Sequence, residues 1–307
     1  MINILNRLLK KYLNYNKYSL GTSHFIKIRP NYNNYKNLND LDYKIYSQNG
    51  EDGIIDYLLS SLSIDKPKFL EIGVGDYSEC NTRFVYERSS ANGVVIDCIE
   101  DLENKILKNV SLWKGDLKII NKRISSQNII DSLNEFSALS DLDLFSLDID
   151  GIDYWVLKKM PSNFSKIAVI EYNSVFGPDF KITTPDIENF DRKKYHFSNL
   201  CFGASLRAII DLMQEKNFTF VGTNLTRCNA FFILNSYSDL INTQLPDLGN
   251  LSKYTNSNIR ESRDKNDNLN YLSGNERIKN IFECEIFDLE DQKLKQIQNL
   301  FKEIKNK

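Results

Sequence analysis

Acidic residues close four short apolar segments of this 307-residue chain, and their types and spacing could do chemistry. They are Glu71, Asp97, the pair Asp148 and Asp150, and Glu171. Open α/β sheets bind their ligands outside the carboxyl ends of the strands. If the four segments are parallel strands, the carboxylates converge on one crevice, where they could bind a cofactor, hold a cation or accept a proton.

The first of these segments, residues 68–72, is followed by two glycines. Its apolar residues suit a strand that is covered on both faces. Gly73 and Gly75 would let the backbone turn tightly and approach a ligand closely, because they carry no Cβ. A plain strand-to-loop turn is the alternative for a G-x-G spacing seen alone.

The second segment, residues 93–97, favours a ligand-binding turn over a plain strand-to-loop turn. Asp97 lies where nucleotide-binding sheets place the carboxylate that binds ribose hydroxyls. Residues 76–78, Asp-Tyr-Ser, replace the third glycine of a dinucleotide fingerprint. The pattern is therefore closer to S-adenosylmethionine binding, which has no pyrophosphate to hold, than to NAD binding. We predict cofactor contacts from Glu71, Gly73, Gly75, Asp97 and Asp148.

A polar helix start precedes the first strand. Ser47 is placed to cap this helix, and Glu51 and Asp52 complement the positive end of its dipole. We predict that Gln48 and Glu51 lie over the methionine end of the cofactor; a purely structural role is the alternative.

Two routes could deprotonate an acceptor hydroxyl. In the first, His196 is the general base, because imidazole titrates near neutrality; the alternative is a surface or structural histidine. In the second, Asp148 or Asp150, with Glu171 and Asn173, binds Mg²⁺ or Mn²⁺ through hard oxygen ligands. Asp150 acting as a metal-free base, or acids that only accept hydrogen bonds, remain open.

The elements that must position these residues alternate between strands and helices. The pattern predicts an α/β fold with parallel strands and, at residues 218–222 and 229–234, an antiparallel terminal pair. Helical spacing predicts a short, basic, amphipathic N-terminal helix, and a C-terminal helix from residue 285 onward. We divide the chain into an N-terminal extension (1–40), a cofactor-binding domain (41–240) and polar loops with the C-terminal helix (241–307). Trp155 is expected to pack a helix onto the sheet.

Composition limits the function classes. A net charge of −2 gives no reason to expect nucleic acid as a partner. Five scattered cysteines with no C-x-x-C pair argue against a disulfide framework and favour a reducing cytoplasm. No segment has the length of a membrane span. The basic N-terminal helix could touch an anionic membrane or a phosphorylated substrate, but we expect it to pack on the domain or on a partner subunit of a homo-oligomer.

Several motifs resemble class I S-adenosylmethionine-dependent methyltransferases, and most closely the FkbM-like sugar O-methyltransferases of bacterial capsule and glycan loci. The matching motifs lie between about residues 45 and 235 and are Ser47-Gln48-x-Gly50-Glu51-Asp52, Glu71-Ile-Gly73-Val-Gly75-Asp76, Leu147-Asp148-Ile-Asp150-Gly151, Ile170-Glu171-Tyr172-Asn173, Gly203-Ala-Ser-Leu206 and Asn229-Ala-Phe-Phe232.

This resemblance implies a Rossmann-like, seven-stranded, doubly wound sheet with an antiparallel last strand. It also implies methyl transfer to a sugar hydroxyl, on a nucleotide-linked sugar for a surface polysaccharide. We keep two alternatives: methylation of a small non-sugar or phosphorylated acceptor, and a non-catalytic cofactor-binding domain.

Overall fold

In the computed structural model, which describes residues 2–135 and 141–305, a seven-stranded sheet forms the centre of the molecule and a three-stranded sheet lies beside it. The strands are β1 (Lys68–Ile72), β2 (Asn92–Asp97), β3 (Asp116–Asn121), β4 (Leu144–Leu147), β5 (Ile167–Glu171), β6 (Ile182–Thr183), β7 (Phe218–Thr223), β8 (Asn229–Leu234), β9 (Glu285–Asp288) and β10 (Lys293–Gln296).

The large sheet has the order β3-β2-β1-β4-β5-β8-β7. Pairs among β1 to β5 are parallel, and β8 runs antiparallel to both of its neighbours. This confirms the predicted Rossmann-like, seven-stranded sheet with an antiparallel last strand. The order reverses beside β1, which lies between β2 and β4, and such a reversal opens a ligand crevice at the strand ends.

Helices cover both faces of this sheet because its strands are apolar on both faces. Phe69 and Val95 pack with helices α1 to α4, whereas their neighbours Leu70 and Ile96 pack with α5, α6 and α8. The helices are α1 (Ile2–Ile28), α2 (Glu51–Ser61), α3 (Arg83–Ser89), α4 (Leu102–Leu107), α5 (Ile129–Glu135), α6 (Asp153–Lys159), α7 (Arg192–Tyr195), α8 (Leu206–Glu215), α9 (Ser252–Thr255), α10 (Asn275–Asn280) and α11 (Ile297–Lys305). Short 3-10 helices cover Arg29–Asn34, Leu38–Leu41, Leu112–Lys114, Ser174–Phe176 and Asn235–Leu240.

The C-terminal segment differs from the prediction. Residues 285–296 form the hairpin β9–β10 instead of a helix, and α11 begins only at Ile297. The burial of residues 285–288 alternates with the period of a strand, and β9 also pairs with β6. We predicted a helix because helical spacing is clear in α11 and was extended too far toward the N-terminus.

The predicted N-terminal helix is present and long. α1 extends over 27 residues, and its second half packs on the domain through Phe25, whose ring lies 5.0 Å from that of Phe84. Trp155 packs as predicted: its ring contacts Phe287, and its indole N–H donates to the carbonyl of Thr184.

Candidate active site

The turn after β1 lies so close to the end of β4 that Gly73 has no room for a side chain. Gly73 has a φ of +89°, and a Cβ there would lie 1.5 Å from the carbonyl oxygen of Asp148 at the end of β4. Gly75 also has a positive φ, +53°, but a Cβ there would meet nothing within 4 Å. The first glycine therefore holds β1 against β4, and the second faces open space.

Asp97, at the end of β2, fixes the same turn. Its Oδ2 accepts a hydrogen bond from Gly75 N at 2.7 Å, and its Oδ1 accepts from the amides of Cys98 and Ile99. The carboxylate therefore lies at the mouth of the turn, as predicted for a residue that binds ribose hydroxyls. That binding role itself stays a prediction.

A cavity of about 400 Å³ lies between this turn and the ends of β2, β3 and β4. This volume is within the range of sites for small molecules. It is lined by Gln48, Gly73, Gly75, Asp76, Glu79, Asp97, Ile99, Lys122, Arg123, Ile124, Asp148, Asp150, Glu188 and Phe190, among others.

Glu71 does not line this cavity. Its carboxylate is 2% exposed and accepts hydrogen bonds from Asn81 N, Thr82 N and Thr82 Oγ1. Burial raises the pKa of Glu71 to about 7, although these hydrogen bonds oppose the shift. The structure therefore shows Glu71 anchoring the start of α3 behind the turn, without a direct route to the cavity.

The residues at the polar start of α2 also differ in whether they line the cavity. Gln48 lines the cavity, and its contact with the cofactor stays a prediction. Glu51 is buried, and its Oε1 accepts from the side-chain amides of Asn224 and Asn229. Ser47 Oγ accepts from Asp52 N at 3.1 Å, so it caps a free N–H of the helix start from outside the helix. Glu51 therefore ties α2 to the β7–β8 hairpin and lies outside the cavity.

Three of the predicted acids meet at the ends of β4 and β5. Asp148, Asp150 and Glu171, which we call the acid cluster, each bring one oxygen within 4.8 Å of the others. The pKa values of Asp148 and Glu171 are raised well above the usual range, first by burial and then by the neighbouring negative charges. Burial and the repulsion between the two carboxylates therefore oppose ionisation of both groups together.

Arg192, which the sequence analysis did not identify, completes this cluster. It lies at the start of α7, forms an ion pair with Asp150, and also donates to the carbonyl of Asn199. Its guanidinium lies 3.9 Å from the ring centre of Phe202. Its positive charge partly offsets the effect of burial on the pKa values of Asp148 and Glu171.

Buried polar groups hold the loops that carry the cluster. Asp153 accepts hydrogen bonds from Ile149 N and Gly151 N, and so supports Asp150, which has a φ of +57°. The amide of Asn173 donates to the carbonyls of Leu200 and Phe202, while its oxygen accepts from Val175 N. Asn173 thus forms hydrogen bonds with backbone, whereas Asp150 lies with Asp148 and Glu171 in the acid cluster. The role of Asn173 as a metal ligand stays a prediction.

His196 lies away from the cavity. Its Nδ1 is 2.7 Å from Ser198 Oγ, and its Nε2 is 3.8 Å from a carboxylate oxygen of Glu283. Burial lowers its pKa. The catalytic role predicted for His196 would require it to reach the cavity, which it does not line.

The charge of the cavity suits S-adenosylmethionine, whose sulfonium and ammonium groups are positive. Acidic side chains outnumber basic ones among the lining residues. Gly75 leaves space for a ligand beside the turn, and Asp97 presents a carboxylate for a diol. The described residues therefore fit this cofactor.

Four further lining residues were not identified from the sequence. Lys122 and Arg123 follow β3, and Glu188 and Phe190 lie in the long segment after β5. Long loops in compact domains are often functional, but the path of this one over the cavity depends on tertiary contacts that local sequence patterns do not show.

The chain has distant similarity to several solved structures. No protein-family model matches the chain, and neither does any curated protein. Among solved structures, the N-terminal domain of EvdMO1, determined in the presence of SAH and D-fucose, is similar at 8% identity, with a TM-score of 0.40 over 60% of this chain and 81% of that one.

An O-methyltransferase family protein from Burkholderia thailandensis is similar at 11% identity and a TM-score of 0.37, over 59% of this chain and 55% of that one. Human N-acetylserotonin methyltransferase in complex with SAM is similar at 11% identity and a TM-score of 0.33, over 57% and 49%. Similarity this distant carries no information on the acceptor.

Proposed function

We propose that this chain is an S-adenosylmethionine-dependent O-methyltransferase that acts on a sugar hydroxyl. The observation that carries methyl transfer is the acid cluster, which adjoins the glycine turn of a cofactor-sized cavity. The sugar, its linkage to a nucleotide and its use in a capsule or other surface polysaccharide are supported by the resemblance of the sequence motifs. We infer a cytoplasmic location from the five cysteines, which are all free thiols.

S-adenosylmethionine, when bound, supplies a methyl group activated by a positively charged sulfur. The chain must hold the acceptor oxygen in line with that methyl group, which accounts for much of the rate in such displacements. The acid cluster accepts the hydroxyl proton as the oxygen–carbon bond forms and the carbon–sulfur bond breaks. Asp148 is the base that we propose, because it lines the cavity and because burial raises its pKa well above the usual range, which makes its ionised carboxylate a stronger base.

Arg192 has two tasks in this proposal. Its ion pair holds Asp150 at the edge of the cavity. Its positive charge also lowers the pKa of Asp148, which favours the ionised form of the proposed base.

A divalent cation is an alternative to the carboxylate base. The acid cluster offers three oxygens within 4.8 Å, and Glu171 Oε2 is buried without a hydrogen-bond partner in the described residues. Hard oxygen ligands of this kind suit Mg²⁺ or Mn²⁺. A rise in melting temperature with Mg²⁺ in the native protein, but not in Asp148→Asn, would favour this alternative, and activity that survives EDTA would remove it.

The test begins with binding. Calorimetric titration with S-adenosylhomocysteine should give saturable binding, and its absence would end the proposal. Labelled cofactor should then transfer methyl to a member of a panel of nucleotide sugars and free sugars. We expect Asp148→Asn to abolish transfer, whereas His196→Ala, a titratable residue outside the cavity, should retain it.

Other results would favour the alternatives. Transfer to amines or to small phosphorylated acceptors, but not to sugars, would favour the broader methyltransferase reading. Tight cofactor binding with no transfer to any of these acceptors would favour a non-catalytic domain.

A further inference from the structure

Helix α1 presents an apolar face to solvent. Five residues form this face, which we call the outer stripe: Leu5, Leu9, Tyr12, Leu13 and Leu20, with exposed fractions between 51% and 67%. At about 3.6 residues per turn they lie within an arc of about 100°. Isolated exposed leucines are ordinary, but four such residues within three turns, with Leu20 beyond Asn16 on the same side, indicate an interaction surface.

The opposite side of α1 already has partners, so the outer stripe is not simply the side that packs on the domain. Phe25 and Tyr18 contact Phe84, and Lys114 lies over the ring of Tyr18. A Cβ at Gly21 would lie 2.3 Å from Ile45, which shows how closely the helix approaches the domain on that side. We expected the apolar residues of α1 to pack on the domain or on a partner subunit, but within the described residues the outer stripe is left uncovered.

The charge of this segment limits what could cover it. Residues 1–39 carry seven basic residues and no acid. Arg29 pairs with Asp56 of the domain, and the other six are Arg7, Lys10, Lys11, Lys17, Lys27 and Lys36. A second copy of α1 would bring two basic segments together with no carboxylate on either to pair with them. An anionic surface supplies the missing charge, and an apolar interior behind it takes up leucine and tyrosine side chains.

We propose that the outer stripe of α1 binds the surface of a bilayer that contains anionic lipids, with the helix lying along the interface. Leucine side chains would enter the boundary between headgroups and acyl chains, while nearby basic residues contact the headgroups. In the described part of the chain no helix has the length and apolar character needed to cross a bilayer, so surface binding is the mode that fits. This proposal is independent of methyl transfer.

Co-sedimentation of the full chain with vesicles tests it. One vesicle set contains phosphatidylcholine alone, and the other contains phosphatidylcholine and phosphatidylglycerol in equal amounts. We expect binding to the anionic vesicles that weakens as salt rises, because headgroup contacts are screened. Leu9→Glu should reduce the partition coefficient by about tenfold or more, since it removes apolar burial and adds a negative charge.

Leu294→Glu is the matched control. Leu294 lies on β10 and is 52% exposed, against 54% for Leu9, so the two variants make the same chemical change at equal exposure. It should change binding by less than about twofold, which corresponds to the loss of a single distant charge interaction. Melting temperatures of both variants show whether they fold.

Three results would overturn the proposal: no binding of the native chain to anionic vesicles, equal binding to both vesicle sets, or equal loss in the two variants. Light scattering that finds a dimer in the native chain and a monomer in Leu9→Glu would assign the stripe to a second copy instead. None of these measurements requires methyl transfer, so they are separate from a failure of the proposed enzyme activity.

Discussion

Alanine replacements of the two glycines in the β1 turn should differ in effect: Gly73→Ala should mainly destabilise the fold, and Gly75→Ala should mainly weaken cofactor binding. Gly73 approaches the carbonyl of Asp148 so closely that its Cβ would lie 1.5 Å away, whereas ordinary contact begins at 3.4 Å. Both atoms belong to backbone, so no side chain can rotate to make room. Gly73→Ala therefore requires the ends of β1 and β4 to separate by about 1.9 Å, or the turn to rebuild.

The two replacements differ in how much they lower the free energy of unfolding. We expect Gly73→Ala to lower the free energy of unfolding by more than about 4 kcal/mol, the range reached when a packed element is forced apart. Gly75→Ala pays only for a left-handed conformation, about 1–2 kcal/mol, because the new methyl group meets no neighbour. For a chain of this size, that corresponds to a fall in melting temperature of about 2–4 °C. Its methyl group points into space beside the cavity, so cofactor binding should suffer more than stability.

Urea unfolding and calorimetric titration with S-adenosylhomocysteine measure the two effects separately. Gly75→Ala should remain folded and bind S-adenosylhomocysteine more weakly, while Gly73→Ala should lose both properties. A Gly73→Ala protein within about 1 kcal/mol of the native stability would contradict the close contact with β4. Native affinity in Gly75→Ala would contradict the assignment of the turn to the cofactor.

Four other residues give further predictions. Asp97→Asn should weaken S-adenosylhomocysteine binding by about 1–3 kcal/mol through lost charge-assisted hydrogen bonds, and native affinity by calorimetry would refute the ribose assignment. Because the ionised form of Asp148 is the proposed base and its pKa is raised, the transfer rate should rise with pH through a pKa above the ordinary range of aspartate; a flat pH–rate profile would contradict this. Arg192 lowers the pKa of Asp148, so Arg192→Gln should move that rise to higher pH, and an unmoved profile would exclude the electrostatic role. Asn173→Ala should lower the free energy of unfolding by about 1–3 kcal/mol, because two buried carbonyls lose their donor; unchanged urea unfolding would show that the amide contributes little.

Much of the sheet and of the acid cluster could be predicted because parallel strands are encoded locally. Each strand is a short apolar segment, and its carboxyl end is the residue that follows it in the chain. Asp148, Asp150 and Glu171 therefore meet for a reason that the sequence contains: β4 and β5 are neighbouring parallel strands. The same argument placed Asp97 at the turn that carries Gly75.

The sequence does not show which acids accept hydrogen bonds inside the protein instead of facing the cavity. Glu71 ends β1 as Asp97 ends β2, yet Glu71 is buried because residues 81 and 82 fold back onto it. Arg192 was missed because its place next to Asp150 depends on the path of the segment after β5, and pairing with β9 about a hundred residues later fixes that path. Tertiary contacts of this kind leave no periodic signal.

The three-stranded sheet has a consequence for how an acceptor site of this kind could change. β6 pairs with β9, so the segment that brings Glu188 and Phe190 to the cavity is joined to the C-terminal part of the chain. The glycine turn and Asp97 belong to β1 and β2 of the seven-stranded sheet, and neither strand is part of the three-stranded sheet. The two walls of the cavity thus depend on different sheets. A new acceptor could be accommodated by changing residues 174–202 and the C-terminal hairpin while the glycine turn and Asp97 stay as they are.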